Sequence, residues 1–124
     1  MNKMTNKVTL VVGASINEIR YSNMAVKLLT NYGHSVYAYA VKIGKIDNIE
    51  IMTQWPANGS IDTVTMYVGV QRQFDLYDKI IELKPRRIIF NPGTENTELA
   101  NILISENIEV VINCSLVMLR GGIY

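Results

Sequence analysis

The strongest constraint on the fold of this chain is an alternation. Apolar runs of strand length recur at Lys7–Gly13, Ser35–Val41, Ile49–Met52, Asp62–Gly69, Arg86–Gly93 and Glu109–Cys114, and helical patterns separate most of them. In the first run Val8, Leu10, Val11 and Val12 are too continuously apolar for one wet face, so both faces of that strand must be covered. From Ser22 the apolar positions Met24, Ala25, Leu28, Leu29 and Tyr32 keep helical spacing, and Gly33 supplies the left-handed residue that ends a helix. Phe74, Tyr77, Ile80 and Ile81 put an apolar face on a second helix running to Leu83. Leu99, Ile102 and Leu103 mark a third, with Asn107 in the role of Gly33. Leu116–Tyr124 carries no clear pattern.

Strands and helices in alternation imply a parallel sheet with helices on both faces, and right-handed crossovers leave few topologies. The expected fold is α/β: a doubly wound, mainly parallel sheet of Rossmann type in one three-layer domain. That domain spans residues 1–124, with 1–6 a polar N-terminal tail. A chain of 124 residues buries roughly two thirds of its unfolded surface, enough for a core without disulfides or metals.

The remaining bulk features remove function classes. A net charge of +1 gives no electrostatic reason for nucleic acid or an anionic membrane as partner. The basic cluster Lys84, Arg86 and Arg87 is short, is interrupted by Pro85, and reads as a helix end and a solvated loop. No apolar run reaches the roughly 18 residues that span a bilayer, and no leader-like segment opens the chain. A cytoplasmic protein is expected. One cysteine and one histidine, Cys114 and His34, cannot build a metal centre.

In such sheets ligands bind outside the carboxyl ends of the strands, where the strand order reverses. The segments placed there are Gly13–Ser22, Val41–Lys45, Gly69–Arg72 and Asn91–Asn96, while Arg86 and Arg87 face the opposite edge. The first segment suits phosphate. Gly13 lets the backbone approach closely, Ala14 and Ser15 are small, and the following helix presents free N–H groups. Arg20 adds a fork of donors, Ser22 caps or donates a hydroxyl, and Tyr21 can stack on a base. The same residues also suit a plain tight turn with a helix cap.

The turn reads GASINEI where a dinucleotide fingerprint would read G-x-G-x-x-G. The second strand ends AYAVK, with Lys42 near the place of the carboxylate that holds ribose hydroxyls in nicotinamide-dinucleotide proteins. A cation there suits a phosphorylated ribose, and equally a solvated strand end. Asn91, Pro92 and Gly93 make a sharp turn after a buried strand, with Thr94 able to cap or bind. Glu95 and Glu98 favour the helix dipole and make this loop a poor second phosphate site.

These residues resemble the small single-domain CoA-binding proteins, whose Rossmann-like fold is shared with the CoA-binding domain of the succinyl-CoA synthetase alpha subunit. The resemblance rests on VVGAS at Val11–Ser15 with Ser22 and NYGHSV, on FNPGTENTEL at Phe90–Leu99, and on VVINCSL at Val110–Leu116. It implies that Gly13, Ala14, Ser15 and Ser22 line a phosphate turn, that Lys42 lies near a 3′-phosphate, and that Asn91, Pro92 and Gly93 flank the ligand. Two departures stand out. Ala40–Val41 replaces an Asn-Pro pair common in the family, and the arginine expected after the fourth strand comes later, at Arg72.

No nucleophile has an evident partner. His34 falls on the edge opposite the ligand side and reads as a surface turn residue, and Cys114 reads as buried and inert. Tyr37 and Tyr39 alternate on one strand face and read as core. The expectation is therefore a non-catalytic module that binds coenzyme A or an acyl-CoA as sensor, carrier or accessory. It would work with a partner enzyme or as a homodimer. An NADP-type reductase or sensor, and a regulatory or assembly protein without a nucleotide, are the alternatives.

Overall fold

The computed structural model describes residues 5–124; residues 1–4 of the expected tail lie outside the described residues. The tail's remaining part is tied down, for Asn6 exchanges hydrogen bonds with Ser35. Seven strands form one sheet: β1 Thr9–Val12, β2 Val36–Tyr39, β3 Gly44–Ile46, β4 Ile49–Met52, β5 Thr63–Met66, β6 Arg87–Phe90 and β7 Glu109–Ile112. Four helices accompany them: α1 Tyr21–Asn31, α2 Tyr77–Leu83, α3 Thr97–Ser105 and α4 Ser115–Arg120. The strand order is β3-β4-β2-β1-β5-β6-β7, parallel throughout except for the β3–β4 hairpin.

The chain lays β2 and β4 on one side of β1, then returns to place β5, β6 and β7 on the other. The order thus reverses between β1 and β5. Fully buried β1, β5 and β6 explain the unbroken apolar runs of the sequence. One face packs Val11, Ala38, Ile51 and Ile89 with Val26, Leu29, Met118 and Leu119 of α1 and α4. The other packs Leu10, Val12, Val64, Met66, Ile88 and Phe90 with Ile80, Leu83, Leu99 and Leu103 of α2 and α3. The doubly wound, Rossmann-like arrangement is the one expected.

Besides Tyr37, read as core but 45% exposed, three local features differ from the sequence reading. The segment after β2 is a hairpin rather than a loop, with Asp47 at φ 51° making its turn. The tail after β7 is helical as α4, and Tyr124 beyond it is buried beside β1. The third difference lies at the amino-terminal edge, where Arg87 and His34 are buried rather than solvated. Arg87 Nε donates to Thr63 Oγ1 and its guanidinium lies 4.4 Å from the Tyr124 ring centre. Lys84 takes a left-handed conformation at the end of α2, and Arg86 pairs with Asp62 and Glu109.

Candidate functional site

The carboxyl edge of the sheet gathers the loops after β1, β2, β5 and β6. Gly13 turns with φ 95°, and its N–H and that of Ala14 both donate to the Tyr39 carbonyl, at 2.9 and 3.1 Å. That bond pair bends the chain across the end of β2 before it reaches α1. Residues 15–20 then hold themselves in place. Ser15 Oγ accepts from the Asn17 N–H, Asn17 Oδ1 from the Ile19 N–H, and the Asn17 carbonyl from the Arg20 N–H.

Arg20 stands at the cap position of α1 with no side-chain cap bond, and the first turn holds no acid. The N–H groups of Asn23 and Met24 both point back to the Arg20 carbonyl. Those of Tyr21 and Ser22 meet no acceptor among the described residues. The positive end of the helix dipole is thus open at this point. Ser22 is buried, whereas Arg20 and Tyr21 are exposed. Asn23, which sequence reasoning did not single out, lies beneath the turn at 2% exposure. Its Nδ2 donates to the Ser15 carbonyl at 2.9 Å, and its Oδ1 is buried without a partner.

Lys42 is exposed just beyond β2, on the same edge and free of any ion pair among the described residues. Asn91, by contrast, is consumed by the protein. Its Nδ2 donates to Thr65 Oγ1 and the Met66 carbonyl, and its Oδ1 accepts from the Ser115 N–H. Thr94 is buried and donates its hydroxyl to the Asn91 carbonyl. Pro92 and Gly93 are exposed, and the Gly93 N–H donates to the Glu95 carboxylate at 2.9 Å. That loop therefore supplies its own anion and leaves α1 as the open donor end.

Gln73 is a second residue the sequence did not flag. Fully buried, it donates from Nε2 to the Val68 and Thr94 carbonyls, both at 2.8 Å, and accepts at Oε1 from Asn96. One amide thus staples the loop after β5 to the loop after β6. No periodicity marks a polar residue buried in a loop, so only three-dimensional contacts reveal it.

The Tyr67 hydroxyl is buried without a partner by distance, and burial, with Cys114 adding to it, raises its pKa above the ordinary 10.0. Cys114 is half-buried at the cap of α4, its N–H donating to Asn113 Oδ1. No three His, Cys, Asp or Glu side chains gather among the described residues. No described helix is long and apolar enough to cross a membrane. The arrangement offers binding groups: the open end of α1 with Arg20, and Lys42 on the same edge.

A family model described as a CoA binding domain matches residues 7–120. A crystal structure of an uncharacterized protein is 41% identical and superposes with a TM-score of 0.94, covering 98% of this chain and 100% of that one. A hypothetical protein from Pyrococcus horikoshii is 19% identical with a TM-score of 0.84, over 95% of this chain and 84% of that one. A protein from Thermus thermophilus is 16% identical with a TM-score of 0.83, over 95% and 91%. No curated protein matches the chain.

Proposed function

The chain belongs to the CoA-binding domain family, and from that premise we propose that it binds coenzyme A or an acyl-CoA without performing chemistry on it. The observation that carries the reading is the open amino-terminal end of α1. There, the Tyr21 and Ser22 N–H groups and the Arg20 side chain are available together, with no acid in the first turn. A diphosphate suits that end by charge and by hydrogen bonding.

Gly13 and Ala14 shape the turn through their bonds to the Tyr39 carbonyl, Ser15 borders the ligand, and Lys42 attends the 3′-phosphate of the ribose. Tyr21, 69% exposed, is free to stack on the base. Asn23 Oδ1 is an acceptor, so it takes a donor group of the ligand or an ordered water rather than a phosphate oxygen. Pro92 and Gly93 border the ligand from across the strand-order reversal. Asn91 and Thr94 act behind them by holding that loop to β5 and α4. The module serves as a sensor, carrier or accessory to a partner enzyme.

The test is calorimetric titration with coenzyme A, dephospho-coenzyme A and NADP. Tighter binding of coenzyme A than of the other two supports the reading. Preferential binding of NADP replaces it with a dinucleotide protein, and absence of binding to all three replaces it with a scaffold that acts through proteins.

A further inference from the structure

β7 is an outer strand of the sheet, and its free edge carries no shield. The Glu109 and Asn113 N–H groups donate to the Arg86 and Phe90 carbonyls, in a parallel register that sets Ile88 beside Val110 and Phe90 beside Ile112. Successive residues of a paired strand turn their backbone groups to alternate sides, so Glu109, Val111 and Asn113 serve β6. The N–H and carbonyl groups of Val110 and Ile112 therefore point away from the sheet, with no partner among the described residues. Edge strands are usually blunted by proline, lysine, a bulge or a covering segment. β3, the opposite edge, is three residues long and carries the exposed Lys45. β7 has no such device: it reads Glu109, Val110, Val111, Ile112, and Glu109 is engaged by Arg86. Ile112 is 59% exposed. Beyond β7 the chain turns inward, where the Ser115 N–H donates to Asn91, so α4 leaves the edge open. Ile104 of α3, also exposed, stands on the flank opposite Glu98, which bonds Tyr77 of α2, and so faces this same edge.

We propose that β7 is the contact strand of a homodimer, in which two copies join their β7 edges antiparallel into one continuous sheet about a two-fold axis. A row of outward N–H and carbonyl groups in extended backbone is matched by another strand, and an isologous contact needs an edge complementary to itself. The backbone meets that requirement in one register. Val110 of one copy exchanges both bonds with Ile112 of the other, and Val111 faces its own copy at the axis. The side chains agree with it. Val110 packs on the α2–α3 face and Val111 on the α1–α4 face, which puts Ile112 with Val110. Val110–Ile112 pairs then make a β-branched patch on one face, and the Val111 pair makes one on the other. Glu109 comes opposite Asn113, so no like charges are opposed. α3 and its copy run antiparallel above the joined strands, with Ile104 between them. A foreign strand would satisfy the same bonds, but the symmetric placing of Val110 and Ile112 about Val111 favours a second copy. Pairing of β7 with β3 of a further copy would run on as a filament. This inference does not depend on the ligand.

Sedimentation equilibrium of the full chain tests it, and wild type is expected to be dimeric. Ile112→Pro removes an outward N–H and no bond to β6, while Ile112→Lys puts a charge on the edge. Each change occurs twice in a two-fold contact and weakens dimerisation by at least about tenfold. Circular dichroism checks folding, and Ile112→Lys decides the matter should Ile112→Pro fail to fold. Cross-linking in a Cys114→Ser background reads the register. Residues facing each other in a non-hydrogen-bonded antiparallel pair have Cα atoms about 4.5 Å apart, within disulfide reach. Under mild air oxidation Val111→Cys gives a covalent dimer. Ile112→Cys does not, because its copy lies two places along on each strand, beyond the roughly 7 Å limit. A monomeric wild type overturns the proposal, as do filaments in place of dimers. So does a dimer indifferent to both Ile112 variants, or one that cross-links no better through Val111→Cys than through Ile112→Cys.

Discussion

Gly13 lies against Val68 with no space for a side chain between them: a Cβ at Gly13 would stand 2.9 Å from Val68 Cγ2 and 3.1 Å from the Tyr67 carbonyl carbon. The contact closes the seam between the ends of β1 and β5, where the strand order reverses. Gly13→Ala therefore meets both a backbone penalty at φ 95° and a steric one. We expect a loss of about 2–3 kcal/mol in urea unfolding. Gly93 also has a positive φ, 90°, but nothing within 4 Å of its would-be Cβ. Gly93→Ala should cost only the backbone share, about 1 kcal/mol. Equal losses at the two positions would contradict the packing argument.

Lys42 tests the ligand assignment by chemistry rather than by loss of binding alone. Coenzyme A and its dephospho form differ by the 3′-phosphate, so a cation attending that group sets the ratio of their affinities. Lys42→Ala should remove most of an expected preference of about tenfold and leave dephospho-coenzyme A binding unchanged. The exposure of Lys42 keeps the effect small and sensitive to salt. Equal weakening of both ligands would place the lysine elsewhere on the molecule.

The parts of this fold legible in the sequence are those whose signal is local. The buried runs at β1 and β6 needed no partner to be recognised, and the left-handed Gly33 and Asn107 ended their helices as read, at φ 87° and 63°. The hairpin strand β3 escaped because three residues are too few for a period of two to show. α4 escaped because its apolar positions continue those of β7 into a single run, IEVVINCSLVML; Gly121 after Arg120 was the available stop signal. Arg87 and His34 looked solvated because their cover is Tyr124, distant in sequence. At the site, Gly13 and the α1 end follow from strand–turn–helix order. The inward bonding of Asn91 and the roles of Asn23 and Gln73 depend on loops that meet only once the sheet is built.

Gln73→Glu keeps the shape of that staple and removes its donor. A carboxylate faces the Val68 and Thr94 carbonyls with an oxygen where an N–H₂ group stood, and it is buried. The variant should lose on the order of 2–4 kcal/mol at neutral pH, since two carbonyls lose their donor and a charge is desolvated. Protonation of the introduced acid restores one donor, so the deficit should shrink as pH falls toward the carboxyl range. Gln73→Leu gives a deficit with no such pH dependence. Amide exchange of the two stapled loops, compared with that of β1, reads the effect locally.

His34 gives the fold a pH dependence whose sign follows from its bonds. Its Nδ1 accepts from the Lys7 N–H at 3.0 Å, so the proton of the neutral ring sits on Nε2, which is buried without a partner. Burial first, then Lys7 and Arg87, lowers its pKa from the ordinary 6.5. The folded state thus favours the neutral ring, while the unfolded chain takes up a proton near 6.5. Stability linked to His34 is complete above that value, falls as pH drops below it, and stops falling once the lowered folded-state pKa is passed. Asp62, held below its ordinary 3.8 by Arg86 and Thr63 against the opposing effect of burial, adds its own loss only at more acidic pH. In His34→Asn the Oδ1 can still accept from Lys7, but nothing titrates. That variant should be less stable above pH 6.5, for lack of the ring packed 5.0 Å from Tyr124, and should show a flatter decline just below it. Denaturant midpoints on either side of 6.5 make the comparison, and an unchanged slope in the variant would assign the acid sensitivity to another group.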